Sequence, residues 1–241
     1  MVRDRKGIEM DIMLIVLIAA VLLTFVIAIA VILRRARPAA ELGLTPGDRV
    51  GAVLTGAGAV AVAAGALVTS VVAVIGWSPS RNLVVPDVPL QTTHAVEGIT
   101  GTGVTAAMTE TVNLALTEAP AHIGTLLLLA GLMTPVATIA LAGVTAWLAI
   151  GLLQGQPFGR RFVIALTVSA ATLVLTSGVQ TFANAIARGD AASFADPQFT
   201  TFQPLVIPLD LAPWGVAFLL GLIAVAFSMA GRMQKDVAGL V

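Results

Sequence analysis

The sequence contains no cysteine and no tyrosine, and only two of its 241 residues are histidine. Without cysteine the chain can form no disulfide, thiolate metal site or thiol nucleophile. The two histidines, His94 and His122, lack the close spacing of a metal-binding pair. We therefore expect neither a metal nor a cofactor.

Charged residues are scarce, at 11% of the chain, and their net charge is zero. A soluble domain carries about 25% charged residues, so this shortage indicates a surface that faces lipid or other helices. A zero net charge disfavours direct binding to nucleic acid, which requires a basic surface. The composition therefore predicts a membrane protein whose partners include lipid.

Five long stretches have no charged side chain in their interiors, at about residues 12–33, 51–77, 122–154, 162–187 and 211–231. A hydrocarbon layer ~30 Å thick is crossed by ~20 apolar residues that rise 1.5 Å each. The sequence therefore predicts an all-α integral membrane protein with five transmembrane helices in a single membrane domain.

The first stretch is too long for the core of a signal peptide, and three arginines follow it without a small-residue cleavage site. We expect it to remain as a peripheral N-terminal helix beside a four-helix core. Met10 and Met13 are alternative starts to Met1, because the first ten residues are charged and dispensable for the spans.

Lysine and arginine collect in the cytoplasmic loops of membrane proteins. If residues 34–50 are cytoplasmic, eight of the 13 basic residues fall on that side: Arg34, Arg35, Arg37, Arg49, Arg160, Arg161, Arg232 and Lys235. This distribution places the N-terminus outside and the C-terminus in the cytoplasm. Residues 155–161 then form a tight cytoplasmic turn, and 78–121 and 188–210 are outer loops.

The outer loops contain β-branched residues interrupted by proline, at 82–90 and 199–208. Such segments favour edge strands or irregular chain. We predict that the two loops pack on each other as a small extracellular cap with some β structure. The alternative is a pair of mobile loops.

Polar side chains recur on one face of the fourth stretch, and Thr172, Thr176 and Gln180 are its centre. They can hydrogen-bond to a neighbouring helix or line a polar groove. Small residues at every fourth position of the second stretch (Ala57, Ala61, Gly65, Thr69, Ala73) allow close helix packing within the chain, in a homo-oligomer or with a partner.

Known catalytic motifs are absent, and no span contains an acidic or basic residue in its interior. We therefore expect a non-catalytic interaction, regulatory or accessory subunit. The alternative is a small transporter or permease component that uses the polar face of the fourth helix. An enzyme for lipid-linked substrates would need outer acids or histidines brought together by the fold.

The last four stretches resemble a family of small bacterial membrane proteins described only as a domain of unknown function. The resemblance covers residues 45–241 and is carried by three segments: Gly155-Gln156-Pro157-Phe158, similar to a G-x-P-F turn; the proline-containing approach 204–213; and the ending 231–241, similar to G-x-L-Q-x-D-x-x-G-L-V. The additional first helix and Arg160-Arg161 depart from the family pattern. The Ala/Gly/Val-rich composition is similar to that of actinobacterial proteins.

This resemblance implies a four-helix protein of the bacterial plasma membrane. Members of such families are often encoded beside a small helix-turn-helix regulator, which implies a regulatory protein partner. The candidate contact residues for a partner lie at the cytoplasmic turn: Gln156, Pro157, Phe158, Arg160 and Arg161.

Overall fold

A computed structural model of the chain describes residues 24, 26–32, 34, 45–77, 82–95, 108–154 and 160–238. Its elements follow the order α1 (Pro46–Gly76), β1 (Asn82–Ala95), β2 (Met108–Thr117), α2 (Ala121–Leu153), α3 (Arg160–Ala195) and α4 (Ala212–Ala238). The described chain is therefore mostly helical and contains a small two-stranded sheet. All four helices are long and apolar enough to cross a membrane.

These helices coincide with four of the five predicted spans, but two of them extend past their predicted ends. Helix α4 continues from the predicted end at residue 231 to Ala238. Helix α3 continues to Ala195, so Arg188 and Asp190, which the sequence placed in an outer loop, are helical. The helix continues because Ala191 and Ala192 are completely buried in a hydrophobic cluster, so tertiary packing favours the additional turns.

The predicted first span is described only in part, at helical residues 24, 26–32 and 34. Ala28 and Ile32 pack against Val53 and Ala57 of α1 and Leu153 of α2. The rest of that span lies outside the described residues, so a fifth spanning helix stays a prediction.

Helix α1 begins with a local capping sequence. The Thr45 hydroxyl accepts a hydrogen bond from the Asp48 N–H (3.2 Å), and the Asp48 carboxylate accepts one from the Thr45 N–H (3.1 Å). This reciprocal pair is a capping box, which provides partners for backbone donors at a helix start. Pro46 occupies the first turn, where its missing N–H costs nothing.

The chain divides into two compact units. The helix unit comprises the described residues of Met1–Val72, Thr134–Thr176 and Leu211–Val241, and the cap unit comprises those of Ala73–Met133 and Ser177–Asp210. Each unit has hydrophobic clusters of its own.

In the helix unit, small and aromatic side chains join α2, α3 and α4. Phe162 of α3 is buried with Ala224 of α4, and its ring centroid lies 5.5 Å from that of Phe227 in a tilted arrangement. The Ser169 hydroxyl donates to the carbonyl oxygen of Ala140 in α2 at 3.3 Å. Such a bond between helices is one of the two roles expected for the polar face of the fourth span.

Candidate functional site

The cap unit is built on an antiparallel hairpin. Val85 pairs with Leu114, and after a bulge Val88 pairs with Val112. At the bulge Asp87 adopts a positive φ of 54°, and its N–H donates to Oδ1 of Asn113 at 3.3 Å. The bulge therefore has a side-chain partner in the opposite strand, and the two valines that flank it are completely buried.

Helix α3 contacts this bulge through the side chain of Arg188. Its Nε donates to the carbonyl oxygen of Pro86 at 3.1 Å, and Nη2 lies 3.5 Å from a carboxylate oxygen of Asp87. The Arg188 side chain is only 20% exposed. A guanidinium has several donors in a fixed plane, so it can bind a carbonyl and a carboxylate at the same time.

The chain that follows α3 pairs with the free edge of β1. The Gln91 N–H donates to the Thr201 carbonyl (2.9 Å), and the Gln203 N–H donates to the Pro89 carbonyl (3.0 Å). Two glutamine side chains strengthen this pairing, because Nε2 of Gln203 donates to Leu90 at 2.9 Å and Nε2 of Gln91 donates to Phe199. The predicted packing of segment 82–90 on segment 199–208, with β structure, is therefore present.

A single hydrophobic cluster unites the cap unit. Val85, Val88 and Leu116 of the hairpin pack with Ile123 of α2 and with three buried alanines of α3: Ala187, Ala191 and Ala192. Phe199 and Phe202 pack against the same cluster. The described part of the cap unit thus has a hydrophobic core.

A histidine–carboxylate contact lies at the surface of this unit. Nε2 of His122, in the first turn of α2, is 3.2 Å from a carboxylate oxygen of Asp190 in α3, and both side chains are largely exposed. In the part of the chain that the structure describes, no group of three or more His, Asp or Glu side chains is arranged to hold a metal.

The cap unit contains a cavity of about 400 Å³ that is lined by residues of the hairpin, α2 and α3 together with Trp77. None of the described residues that line it is ionisable. The polar groups come from Trp77, Gln180 and Asn184, and the apolar wall is formed by Leu83, Val84, Pro86, Ala119, Pro120, Ala121, Gly124, Leu127, Leu128, Ala130 and Gly131. The arrangement can receive a small neutral ligand, since pockets of 300–1,000 Å³ are typical of ligand sites.

A second surface feature is an irregular apolar segment at residues 205–209, ahead of α4. Its side chains are exposed, at 55% for Leu205 and 66% for Leu209. Within the described ranges, Leu205, Val206 and Ile207 form no backbone hydrogen bond. The segment therefore combines exposed apolar side chains with open backbone donors and acceptors.

The three residues of the predicted polar groove have different surroundings. The hydroxyls of Thr172 and Thr176 donate to carbonyl oxygens of their own helix, at Val168 (2.9 Å) and Thr172 (2.8 Å) respectively. Gln180 lines the cavity of the cap unit together with Asn184, one turn further along. A groove that includes both threonines stays a prediction.

Of the candidate contact residues at the cytoplasmic turn, Arg160 and Arg161 are exposed in the first turn of α3. Gln156, Pro157 and Phe158 lie outside the described residues, as does the end of the C-terminal segment.

Two features of the site had weak signals in the sequence. Asn184 follows Gln180 at helical spacing, which indicates a shared face but not a cavity. Trp77 is the last residue of the second predicted stretch, and its role in the cavity depends on the hairpin that folds beside it. Compared with known proteins, the chain matches no family model, no curated protein and no solved structure.

Proposed function

We propose that this chain is a non-catalytic multi-pass protein of the bacterial plasma membrane that acts as an interaction, regulatory or accessory subunit. Four helices of suitable length and hydropathy support the membrane assignment. Their exposed side chains support it as well, since large apolar residues such as Leu175, Phe218 and Leu222 have about two thirds of their surface uncovered. Lipid covers such surfaces favourably, whereas water does not.

The interaction role is inferred from the exposure of segment 205–209. Its leucine, valine and isoleucine side chains are unfavourable in water when they form a contiguous surface. Hydrocarbon is no better a solvent, because each unpaired backbone group in lipid costs several kcal/mol. Both requirements are met together when another polypeptide covers the segment.

The occupant that fits best is a β-strand of a partner protein at the outer face. An extended partner strand supplies backbone donors and acceptors to Leu205, Val206 and Ile207, and its side chains cover theirs. Pro204 and Pro208 have no N–H, so they confine the pairing to the three residues between them. The preceding residues Thr201 and Gln203 are hydrogen-bonded to β1, and this attachment limits the conformational entropy that the segment loses on binding.

Site-specific photocrosslinking in native membranes tests the proposal. A photoreactive side chain at Val206 or Ile207 should give one protein adduct of defined mass, and the same group at the exposed Thr93 should not. In a strand, successive N–H groups point in opposite directions. Only one of the two N–H groups, that of Val206 or that of Ile207, therefore faces the partner strand. The proline variant at that position should abolish the adduct, whereas Val206→Thr keeps the N–H and should retain the adduct.

Three results would contradict the interaction role. Adducts with lipid alone would mean that the segment lies in the headgroup layer. An adduct with a second copy alone would indicate self-association. An adduct that survives both proline variants would show that pairing of the backbone is not what holds the partner.

A further inference from the structure

The cavity of the cap unit combines an apolar wall with neutral polar groups at one side. Leu127, Leu128 and Gly131 of α2 form part of the wall, and Gln180 and Asn184 of α3 provide two amides one helical turn apart. Each amide can both donate and accept a hydrogen bond. The site therefore matches a ligand that has an apolar chain and an uncharged hydrogen-bonding head.

Among the described residues, the cation closest to the cavity wall is already engaged by the hairpin. Arg188 lies next to the cavity wall, where it donates to the Pro86 carbonyl, and it is paired with Asp87. The Asp190 carboxylate lies 3.2 Å from Nε2 of His122. A carboxylate or phosphate placed among the described lining residues would find no cation there, and burial of an unpaired charge is very unfavourable.

The length of the cavity wall along α2 indicates that the ligand comes from the membrane. Lining residues on α2 extend from Ala121, the first residue of the helix, to Gly131. Ten residues of helix correspond to about 15 Å, which is about half of a hydrocarbon layer. If α2 spans the membrane as proposed above, the cavity begins near the boundary, where Trp77 provides an amphipathic ring, and reaches into the lipid layer.

We propose that this cavity binds a neutral membrane amphiphile, a single acyl chain with an uncharged hydroxylated head, as in a monoacylglycerol. The acyl chain lies along Leu127, Leu128 and Gly131, and the hydroxyl groups bond to the amides of Gln180 and Asn184. The inference depends on membrane insertion but not on the partner strand at residues 205–209, which lies at a separate surface of the cap unit.

The test uses the full-length protein in lipid nanodiscs and a monoacylglycerol with a diazirine in its acyl chain. Mass spectrometry should locate the label between residues 121 and 131 of α2. A lysophosphatidylglycerol with the same chain and diazirine provides an anionic comparison, and it should label this region about tenfold less, which corresponds to about 1.4 kcal/mol.

Two glycine variants on α2 distinguish labelling in the cavity from labelling by general contact with lipid. A Cβ atom at Gly131 or at Gly143 would meet nothing within 4 Å, but only Gly131 is among the residues that line this cavity. Gly131→Phe should therefore fill the cavity and reduce labelling about tenfold. Gly143→Phe adds the same side chain to the same helix and should leave labelling unchanged.

Thermal unfolding shows whether Gly131→Phe still folds. If it does not, a second variant tests the same proposal. Asn184→Leu keeps the number and branching of the side-chain heavy atoms but removes one amide, so it should bring the labelling by the neutral and the anionic lipid close together. Equal labelling by both lipids in the wild type, or labelling that Gly131→Phe leaves unchanged, would overturn the proposal. Release of the protein from membranes by alkaline carbonate would instead contradict the membrane assignment itself.

Discussion

Nε of Arg188 donates a hydrogen bond to the carbonyl oxygen of Pro86 at 3.1 Å, although 102 residues separate the two in the sequence. The same guanidinium lies 3.5 Å from the Asp87 carboxylate. Since Pro86 and Asp87 form the bulge of β1, this one side chain joins helix α3 to the irregular point of the hairpin. The shape of the cap therefore depends on a contact that no local sequence pattern reveals.

We expect Arg188→Met to destabilise the cap by about 1.5–3 kcal/mol, the usual contribution of a hydrogen bond to a charged group. Methionine retains most of the apolar stem and removes both bonds. Thermal unfolding in detergent, followed by tryptophan fluorescence, measures the change. The matched control is Asp87→Asn, which weakens only the exposed ion pair and should cost less than about 1 kcal/mol. Equal losses in the two variants would contradict the dominant role of the Pro86 carbonyl.

A glycine allows α3 to approach the segment that follows it. A Cβ atom at Gly189 would lie 2.6 Å from the carbonyl oxygen of Pro204, which is a backbone atom and cannot rotate away. Gly189→Ala should therefore destabilise the cap by about 1–3 kcal/mol. It should also increase proteolysis between residues 196 and 210.

The control for this variant lies on the same helix. A Cβ atom at Gly178 would meet nothing within 4 Å. Gly178→Ala should accordingly be neutral or stabilise the protein by up to about 1 kcal/mol, through the higher helix propensity of alanine. If Gly189→Ala behaved in the same way as Gly178→Ala, the close approach to Pro204 would be wrong.

Helices α1 and α2 make a comparable approach in the helix unit. A Cβ atom at Gly56 would lie 2.9 Å from Cβ of Ala149 and 3.1 Å from Cδ1 of Ile32. Gly56→Ala should thus destabilise the helix unit by about 1–3 kcal/mol. Gly58→Ala, where a Cβ atom meets nothing within 4 Å, should not. Denaturation in a series of mild detergents would compare the unfolding midpoints of the two variants. Identical midpoints would contradict the close contact between Gly56 and Ala149.

Much of the helical fold could be predicted from the sequence, because a spanning helix is encoded by local composition. The start of α1 is equally local, since Thr45 and Asp48 form its capping box within one turn. The proline-punctuated, β-branched segment 82–90 correctly indicated strand β1, whereas segment 199–208 contributes a single bridge at Phe202. In each case the signal and the structure occupy the same short stretch of chain.

The candidate site could not be predicted in the same way. Gln91 bonds to Thr201, and Arg188 bonds to Pro86, across about a hundred residues. Periodicity placed Gln180 on a polar face, but the cavity exists only because the hairpin folds over that face beside Trp77. Long-range pairing of this kind is determined by tertiary packing, and a single sequence carries no direct record of it.

The carboxylate of Asp196, just after α3, accepts hydrogen bonds from the Thr201 N–H at 2.7 Å and from the Thr200 hydroxyl at 3.1 Å. The backbone bond from Thr201, above all, lowers the pKa of Asp196 below its ordinary value. The folded segment therefore gains stability from the ionised carboxylate at pH values above about 4. That stability is lost as the pH falls through the lowered pKa.

Hydrogen exchange of the Thr201 amide measures this loss. After correction for the intrinsic exchange rate, protection should be constant from about pH 7 to about pH 5 and should decrease below about pH 4. Asp196→Asn retains an oxygen that can accept the same N–H but does not titrate, so its protection should be lower at neutral pH and independent of pH. Parallel pH profiles for the wild type and Asp196→Asn would show that another group controls this segment.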